Sequence, residues 1–391
     1  VHENTIKFIP PVPDTGVTTS AFWESPFSKF LIFISVMWWS HHGTDGGGYI
    51  IQRMSSAKNE RHALLATLWF NLAHYALRVW PWVIVAVVSI VMFPVIPDSY
   101  SELGVKAGYP LVMNTLLGPG LKGILIVSFL AAFMSTIDTH LNWASSYIIN
   151  DIYKRFFKPD ESESHYVLVG KISTAILMVM AAFTAMKMQS ISKAWEFIFS
   201  MGAGIGLVLI LRWFWWRVNA WSEITALSTS IIVTLILETI ASIQTIQAGN
   251  EYTLFGSAPV LFGISLQIHH KLMIIVPLAV TAWIAATFFT KPEPNEILTK
   301  FYQRVQPGGW WGPISQQIIH TMEPVTHGFI VQWIAGIMMI YGFTFGIGSL
   351  VFTKYSQAVV LLGFAMLGTF LVWNRSISKL NKTQRTQTTQ S

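Results

Sequence analysis

Residues 40–53 read SHHGTDGGGYIIQR and directly follow an apolar, aromatic run, FLIFISVMWW, at residues 30–39. That run alone is too short to cross a bilayer, because a membrane-spanning helix needs about 20 apolar residues. The membrane span must therefore continue through four glycines, each of which costs about 1 kcal/mol relative to alanine inside a helix. These glycines are Gly43, Gly46, Gly47 and Gly48. We predict that they interrupt the helix within the membrane; the alternative is that the span ends at Ser40 and the glycines form an ordinary loop.

An interrupted span leaves backbone groups unpaired, and such groups survive at membrane depth only when they line a cavity or are buried in protein. Secondary transporters use this device to offer backbone dipoles to solutes and ions. Asp45 lies inside the interruption, and because a carboxylate is costly in lipid we expect it to face a polar cavity. We interpret at least one of His41 and His42 as a hydrogen-bonding group for a substrate, with a role in packing as the alternative.

The composition of the whole chain also indicates a membrane protein. Of its 391 residues, 52% are hydrophobic and only 11% are charged, against roughly 25% charged in a typical soluble domain. Cysteine is absent, which excludes disulfides, thiol catalysis and thiolate metal sites. We find no HExxH or Gly-x-Ser-x-Gly pattern, so the sequence does not predict an enzyme. The net charge is +6, and its lysines and arginines lie in short loops. That placement indicates how the protein is oriented in the membrane and does not indicate nucleic-acid binding.

Apolar runs predict an all-α, polytopic membrane protein with about nine transmembrane helices. The predicted spans are residues 28–48, 74–94, 121–150, 166–186, 194–214, 221–241, 271–289, 328–352 and 358–373. The apolar stretch 255–267 is too short to span, and we expect it to be re-entrant or interfacial. Most loop lysines and arginines fall on one side, which predicts an N-terminus outside and a cytoplasmic C-terminus.

The third predicted span carries a polar stripe. At 100° per residue, Ser135, Asp138, Thr139, Asn142 and Ser146 share one helix face. Hydroxyl and carboxylate oxygens in a dry cavity suit a small hard cation such as Na⁺. Hydrogen bonding between helices is the alternative for any single Ser or Thr, but Asp138 adds a buried charge that packing does not require.

Three stretches resemble the sodium:solute symporter family. MSTIDTHLNWASSYIINDIY at residues 134–153 is similar to the family's signature helix, and YIIQRMSSAKNE at residues 49–60 is similar to the end of an earlier helix. AWEFIFSMGAGIGLVLILRWFWWRVNAWSE at residues 194–223 resembles a core helix of one bacterial branch. The resemblance covers residues 27–223.

The resemblance implies a LeuT-like fold of two inverted five-helix repeats with extra helices outside. Residues 28–48 would then be the broken first helix of the second repeat, and extra helices would follow towards the C-terminus. It also implies that a shared Na⁺ is bound by the hydroxyls of Ser135 and Thr136 and by the carbonyl of Ala132. The second Na⁺ of some members would lie at Asp138, with Thr139 beside it.

The carboxylate of Asp138 departs from the family pattern, which has a hydroxyl there. It could strengthen a second cation site or titrate and make coupling sensitive to pH; we favour the first. We assign Asn142 to the solute, together with His41, His42 and Asp45. Glu196, at the outer end of the fifth span, is a further candidate, with a solvated helix end as the alternative.

These patterns divide the chain into four parts. We expect an extracellular segment at 1–26, second-repeat core helices at 27–247, additional C-terminal helices at 248–375 with a polar loop near 291–327, and a disordered cytoplasmic tail at 376–391. We also expect that residues precede Val1, since the first repeat would supply the remaining Na⁺ ligands. Those N-terminal helices of the same protein are predicted partners, along with the lipid bilayer.

The sequence therefore predicts sodium-coupled symport of a small polar organic solute across a bacterial inner (plasma) membrane. Na⁺ would be a co-transported ion and not a cofactor. The alternatives are a proton-coupled transporter of the same fold and a non-transporting sensor module built on that fold.

Overall fold

The computed structural model describes residues 9–13, 19–188, 190–249, 258–261, 263–305, 307–316 and 326–374. It divides into two compact units, and the division falls inside three helices. The first unit comprises Val1–Ile84, Glu196–Ala241 and Ala258–Ser391; the second comprises Val85–Trp195 and Ser242–Ser257. The predicted tail at 376–391 lies outside the described residues.

Helices account for almost all of the regular structure in the described residues. In the first half of the chain they are α1 (Thr19–Glu24), α2 (Pro26–Ile32), α3 (Trp38–Ser40), α4 (Gly47–Ser55), α5 (Glu60–Asn71), α6 (Val79–Met92), α7 (Gly108–Leu116), α8 (Pro119–Tyr147) and α9 (Glu163–Lys187). Three π-helical segments, Phe33–Met37, Leu72–Leu77 and Ile148–Phe157, and a 3₁₀ segment, Asp98–Ala107, adjoin them.

The second half of the chain continues the helical pattern. It contains α10 (Ile191–Met201), α11 (Gly206–Phe214), α12 (Ala220–Gln247), α13 (Ile268–Phe289), α14 (Asn295–Val305), α15 (Gly312–Ser315), α16 (Thr326–Val351) and α17 (Tyr355–Val372). Between α12 and α13, strands β1 (Val260–Leu261) and β2 (Ile264–Ser265) pair antiparallel. This hairpin occupies part of the stretch that we expected to be re-entrant or interfacial.

Eight helices among the described residues are long and apolar enough to cross a membrane, which confirms the prediction of an all-α, polytopic membrane protein. They are Glu60–Met92, Pro119–Phe157, Glu163–Lys187, Ile191–Phe214, Ala220–Gln247, Ile268–Phe289, Ile330–Val351 and Tyr355–Val372. The remaining predicted span, 28–48, is divided between two helical segments, because its first helix ends at Ser40 and α4 begins at Gly47. Each segment is shorter than a membrane-spanning helix.

The span that we predicted at 74–94 begins earlier, at Glu60. Asn59 starts it, because the side-chain oxygen of Asn59 accepts a hydrogen bond from the His62 backbone N–H at 3.0 Å. A side-chain cap of this kind satisfies one of the unpaired donors at a helix N-terminus. Residues 58–62 are polar, so the apolar pattern from which we predicted the span does not extend to this helix start.

The core of the first unit is built around α13. Trp283, Leu272 and Ile275 of this helix are almost fully buried, and Lys271 near its start forms an ion pair with Glu238 of α12. In the second unit, α8 and α9 contact through the Ser145 hydroxyl, which donates to the Gly170 carbonyl at 3.1 Å. Within that unit most apolar side chains of α8 and α9 are exposed.

Candidate functional site

A short turn separates α3 from α4, in the segment where we predicted an interruption within the membrane; we call it the first interruption. Gly46 has φ 93° and Gly47 has φ 64°, a left-handed conformation that costs glycine little and other residues more. Gly43 lies in the gap, whereas Gly47 and Gly48 form the first turn of α4. Side chains hold the turn, since the His41 Nδ1 accepts from the Gly43 N–H at 2.9 Å and the Asp45 Oδ1 accepts from the Gly47 N–H at 3.0 Å.

The span that we predicted at 194–214 is present as Ile191–Phe214, and it contains a second interruption, four turn residues between α10 and α11. Residues 202–205 form turns, and all four are buried. The sequence GAGIG at residues 202–206 places glycine at every second position. That pattern is a signal for this interruption that our reading of apolar runs missed.

The two interruptions pack against each other within the first unit, and we call this contact the crossing (residues 39–42 against 202–206). A Cβ atom on Gly202 would lie 2.6 Å from the Nδ1 atom of His42. A Cβ atom on Gly206 would overlap the Trp39 carbonyl oxygen and lie 2.6 Å from the carbonyl carbon of Ser40. Since backbone atoms cannot rotate away, only glycine fits at 206.

Gly206→Ala is therefore expected to lower the free energy of unfolding by about 1–3 kcal/mol, the usual cost of overpacking a filled interior. Thermal unfolding of the purified protein in detergent measures this. Gly336→Ala is the matched control, because nothing lies within 4 Å of a Cβ atom built on Gly336. Equal unfolding midpoints for the two variants would contradict tight packing at the crossing.

The histidines lie at the crossing in different environments. His41 is half-buried and its ring makes an edge contact with Phe199, with 6.3 Å between ring centroids. His42 is exposed. Ser40 beside them is buried, and its hydroxyl has no hydrogen-bond partner in the described part of the chain. Glu196 belongs to the same unit and lies half-buried on α10.

Asp45 has a partner that the sequence did not reveal. Its Oδ2 atom accepts a hydrogen bond from an Arg212 guanidinium nitrogen at 2.7 Å, and the Asp45 side chain is only 10% exposed. A second nitrogen of Arg212 lies 3.4 Å from the Glu223 Oε2 atom. Because 167 positions separate Asp45 from Arg212, no local pattern indicates this pair.

A cavity of about 810 Å³ lies beside this ion pair, within the first unit. Thr44 and Asp45 contribute to its wall, but the rest of the wall is mostly apolar. Among the apolar lining residues are Ile51, Met54, Leu209, Ile210, Trp213 and Phe214. The volume falls within the range of small-molecule sites, which is about 300–1,000 Å³.

The polar stripe of α8 lies in the second unit. Ala132, Ser135, Thr136, Asp138 and Asn142 are exposed in this unit, and Thr139 is half-buried. The hydroxyls of Thr136 and Thr139 donate to the carbonyls of Ala132 and Ser135 at 2.9 and 2.8 Å. Asn142 donates to the Asp138 Oδ1 atom at 3.0 Å.

The stripe thus gathers hydroxyl, carbonyl and carboxylate oxygens over about two helix turns. Oxygen ligands of this kind suit small hard cations, so the donor set fits Na⁺. The Ala132 carbonyl accepts the Thr136 hydroxyl in addition to the backbone N–H that it accepts within α8, so the Thr136 hydroxyl has to rotate away before this carbonyl can contact a cation. Asp45, His41, His42 and Glu196 belong to the first unit, so the predicted site residues fall into one group in each unit.

Comparison with known proteins links these features to transporters. The chain is 26% identical to the osmoregulated proline transporter OpuE of Bacillus subtilis over 166 residues, which are 40% of this chain and 33% of that protein. It is 25% identical to sodium/glucose cotransporter 4 of Danio rerio over 284 residues, 67% of this chain and 40% of that protein. It is 35% identical to a sodium/proline symporter of Haemophilus influenzae over 107 residues, 27% of this chain and 21% of that protein.

The chain therefore spans less than half the length of each of these relatives. The model of the sodium:solute symporter family matches residues 20–233, which is more than half of the chain. This match confirms the resemblance seen in the signature helix. The chain belongs to the sodium:solute symporter family.

Proposed function

We propose that this protein carries out Na⁺-coupled symport of a small polar organic solute across the plasma membrane of a bacterium. It is a multi-pass membrane protein of a family whose members include sodium/proline and sodium/glucose cotransporters. The observation that carries the proposal is the crossing, where two interrupted helices meet beside a nearly buried carboxylate. Matches to bacterial transporters support the bacterial membrane. The N-terminus would lie outside and the C-terminus in the cytoplasm.

The solute would bind at the crossing. The Ser40 hydroxyl and the His41 ring can hydrogen-bond a polar solute there, and the backbone groups of both interruptions add further dipoles. A buried hydroxyl without a partner is costly, so a bound solute or water would relieve the cost at Ser40. His42, Asp45 and Glu196 of the same unit remain candidate solute contacts, and the assignment of Asn142 on α8 to the solute stays a prediction from the sequence.

Na⁺ would bind at the polar stripe of α8. Ser135 and Thr136 would supply hydroxyl oxygens, and Ala132 would supply a carbonyl oxygen. Asp138 and Thr139 would form a second cation position next to them. Na⁺ would then be cargo and would drive uptake by favouring the conformation that binds both ligands.

The proposed fold needs helices beyond those of this chain. Residues 27–247 would form the second of two inverted repeats, and helices of the first repeat of the same protein would complete the Na⁺ and solute sites. The partial match to the relatives supports this proposal, because this chain matches at most 40% of the length of each relative named above.

A transport assay tests the proposal. The protein made from its complete reading frame is placed in proteoliposomes, and uptake of sugars, sugar acids, amino acids and carboxylates is compared in Na⁺ and choline buffers. At least one solute is expected to enter only with Na⁺, and the same solute should raise the unfolding temperature according to mass action. Uptake that is indifferent to Na⁺ would contradict symport with Na⁺.

A further inference from the structure

Lys171 places a positive charge within one of the candidate membrane spans. It belongs to α9, which begins at Glu163, so about two helix turns separate it from the start of that helix. It is exposed in the second unit and has no hydrogen bond or ion pair with any residue in the described part of the chain. A charge at membrane depth is costly and ordinarily has a partner, so an unpaired lysine there indicates a site for a negative group.

Lys171 lines a groove of about 720 Å³ between α8 and α9 of the second unit. The two helices are in close contact beside the groove, because a Cβ atom on Gly170 would lie 2.8 Å from the Ile149 Cδ1 atom. Half of the residues that line the groove are polar. They are Asn142, Ser145, Ser146, Asn150, Lys171 and Thr174.

The Thr174 hydroxyl is a free donor in this groove. A helical threonine commonly donates to the carbonyl four residues before it, as Thr184 does later on α9. The corresponding carbonyl for Thr174 is that of Gly170, which accepts the Ser145 hydroxyl at 3.1 Å instead. Among the described residues the Thr174 hydroxyl has no partner, so it remains available to a ligand.

The Ser146 hydroxyl is a second donor on the opposite wall of the groove. It accepts a hydrogen bond from the Asn150 side-chain amide at 3.2 Å, which leaves its own proton for another acceptor. No carboxylate is present among the described residues that line the groove. The groove therefore combines one full positive charge with two hydroxyl donors and lacks a negative group to match them.

We propose that the groove between α8 and α9 is a binding site for a small organic carboxylate. The carboxylate accepts from the Lys171 ammonium and from the hydroxyls of Thr174 and Ser146, and the apolar part of the ligand contacts Val167 and Met178. A lysine ammonium is a compact point charge, which matches a single carboxylate. The groove volume falls within the range of small-molecule sites.

This site is independent of the proposed function. The groove belongs to the second unit, whereas the crossing belongs to the first. Binding in the groove can be measured without transport and with potassium salts in place of Na⁺. A failure of Na⁺-coupled uptake would therefore leave the carboxylate site untouched, and a failure of carboxylate binding would leave the proposed symport untouched.

Protection of a single cysteine from alkylation tests the site, and the absence of cysteine from the chain makes the signal specific. Ala175→Cys places the reporter in the groove, and Ser164→Cys places one in the first turn of α9, outside it. The rate of reaction with N-ethylmaleimide is measured on the detergent-solubilised protein with equal concentrations of potassium hexanoate or neutral hexanamide. Hexanoate is expected to slow the reaction at position 175 at least fivefold. Hexanamide should change it less than twofold, and neither compound should change the rate at position 164 more than twofold.

Matched lysine variants show whether the charge is responsible. Lys171→Gln is expected to abolish the protection at position 175, whereas Lys171→Arg should retain it because the charge is kept. Lys187→Gln is the control, since Lys187 is an exposed lysine in the last turn of the same helix and does not line the groove. If Lys171→Gln does not elute as a folded protein in size exclusion, Lys171→Met takes its place with the same expected loss.

Three results would overturn the proposal. The first is equal protection by hexanoate and hexanamide, because the groove would then accept apolar molecules without recognising charge. The second is protection that persists in Lys171→Gln or Lys171→Met, which would mean that the lysine only extends towards water. The third is the absence of protection by hexanoate, including the case in which added phosphatidylglycerol slows the reaction and assigns the groove to a lipid.

Discussion

Replacing Ser135 or Thr136 by alanine is expected to raise the Na⁺ concentration that half-saturates solute uptake by about ten- to a hundredfold. Each change removes one hydroxyl oxygen from the proposed Na⁺ site. Polar contacts to charged groups contribute about 1.5–3 kcal/mol each, and 1.4 kcal/mol corresponds to a factor of ten in affinity. Uptake in proteoliposomes and Na⁺-dependent thermal stabilisation both measure this change, and the second needs no solute.

Each variant has a matched control. Thr184 on α9 is exposed and donates to the Met180 carbonyl at 2.9 Å, so it has the same local geometry as Thr136. Ser128 on α8 is exposed and donates to the Ile124 carbonyl at 2.8 Å, seven positions before Ser135. Thr184→Ala and Ser128→Ala should leave the Na⁺ requirement within twofold of the unaltered protein. If Ser135→Ala and Thr136→Ala also leave the Na⁺ requirement within twofold of the unaltered protein, the proposed Na⁺ site does not include these hydroxyls.

The membrane-spanning helices were largely predictable because they follow from composition over about 20 residues. Apolar runs such as 121–150 and 271–289 correspond closely to α8 and α13. Helix starts were less predictable where they are polar, as at Glu60, because a capping side chain and not an apolar run determines where the helix begins.

The turn between α3 and α4 was predictable from local sequence, whereas the long-range contacts of the candidate site were not. The first interruption follows from the glycine content of residues 43–48, since the cost of helical glycine is local. The contact of Gly206 with Trp39 and Ser40 joins segments far apart in sequence. The pairing of Asp45 with Arg212 does the same, so composition and periodicity carry no information about either contact.

Asp138→Asn is expected to raise the Na⁺ concentration for half-saturation more than tenfold at every pH between 6 and 8. A full charge 4 Å from a cation contributes about 4 kcal/mol at an effective dielectric constant of 20. The exposure of Asp138 in its unit reduces that value, but tenfold requires only 1.4 kcal/mol. Asn142 binds the Oδ1 atom, and the Oδ2 atom has no partner among the described residues, so one oxygen remains for a cation. Uptake measured against Na⁺ concentration at several pH values tests this.

The same measurement distinguishes a cation ligand from a proton carrier. If Asp138 carries a proton, Asp138→Asn should abolish the pH dependence of uptake and leave the Na⁺ requirement unchanged, since asparagine does not titrate. If Asp138 binds Na⁺, the Na⁺ requirement should rise while the variant keeps whatever pH dependence other groups confer. Glu163→Gln is the control for loss of a carboxylate. Glu163 is the first residue of α9, its side chain is 89% exposed, and its Oε1 atom lies 3.8 Å from the Lys154 Nζ atom. An unchanged Na⁺ requirement in Asp138→Asn, with uptake that no longer responds to pH, would therefore exclude the second cation site and favour proton coupling at this carboxylate.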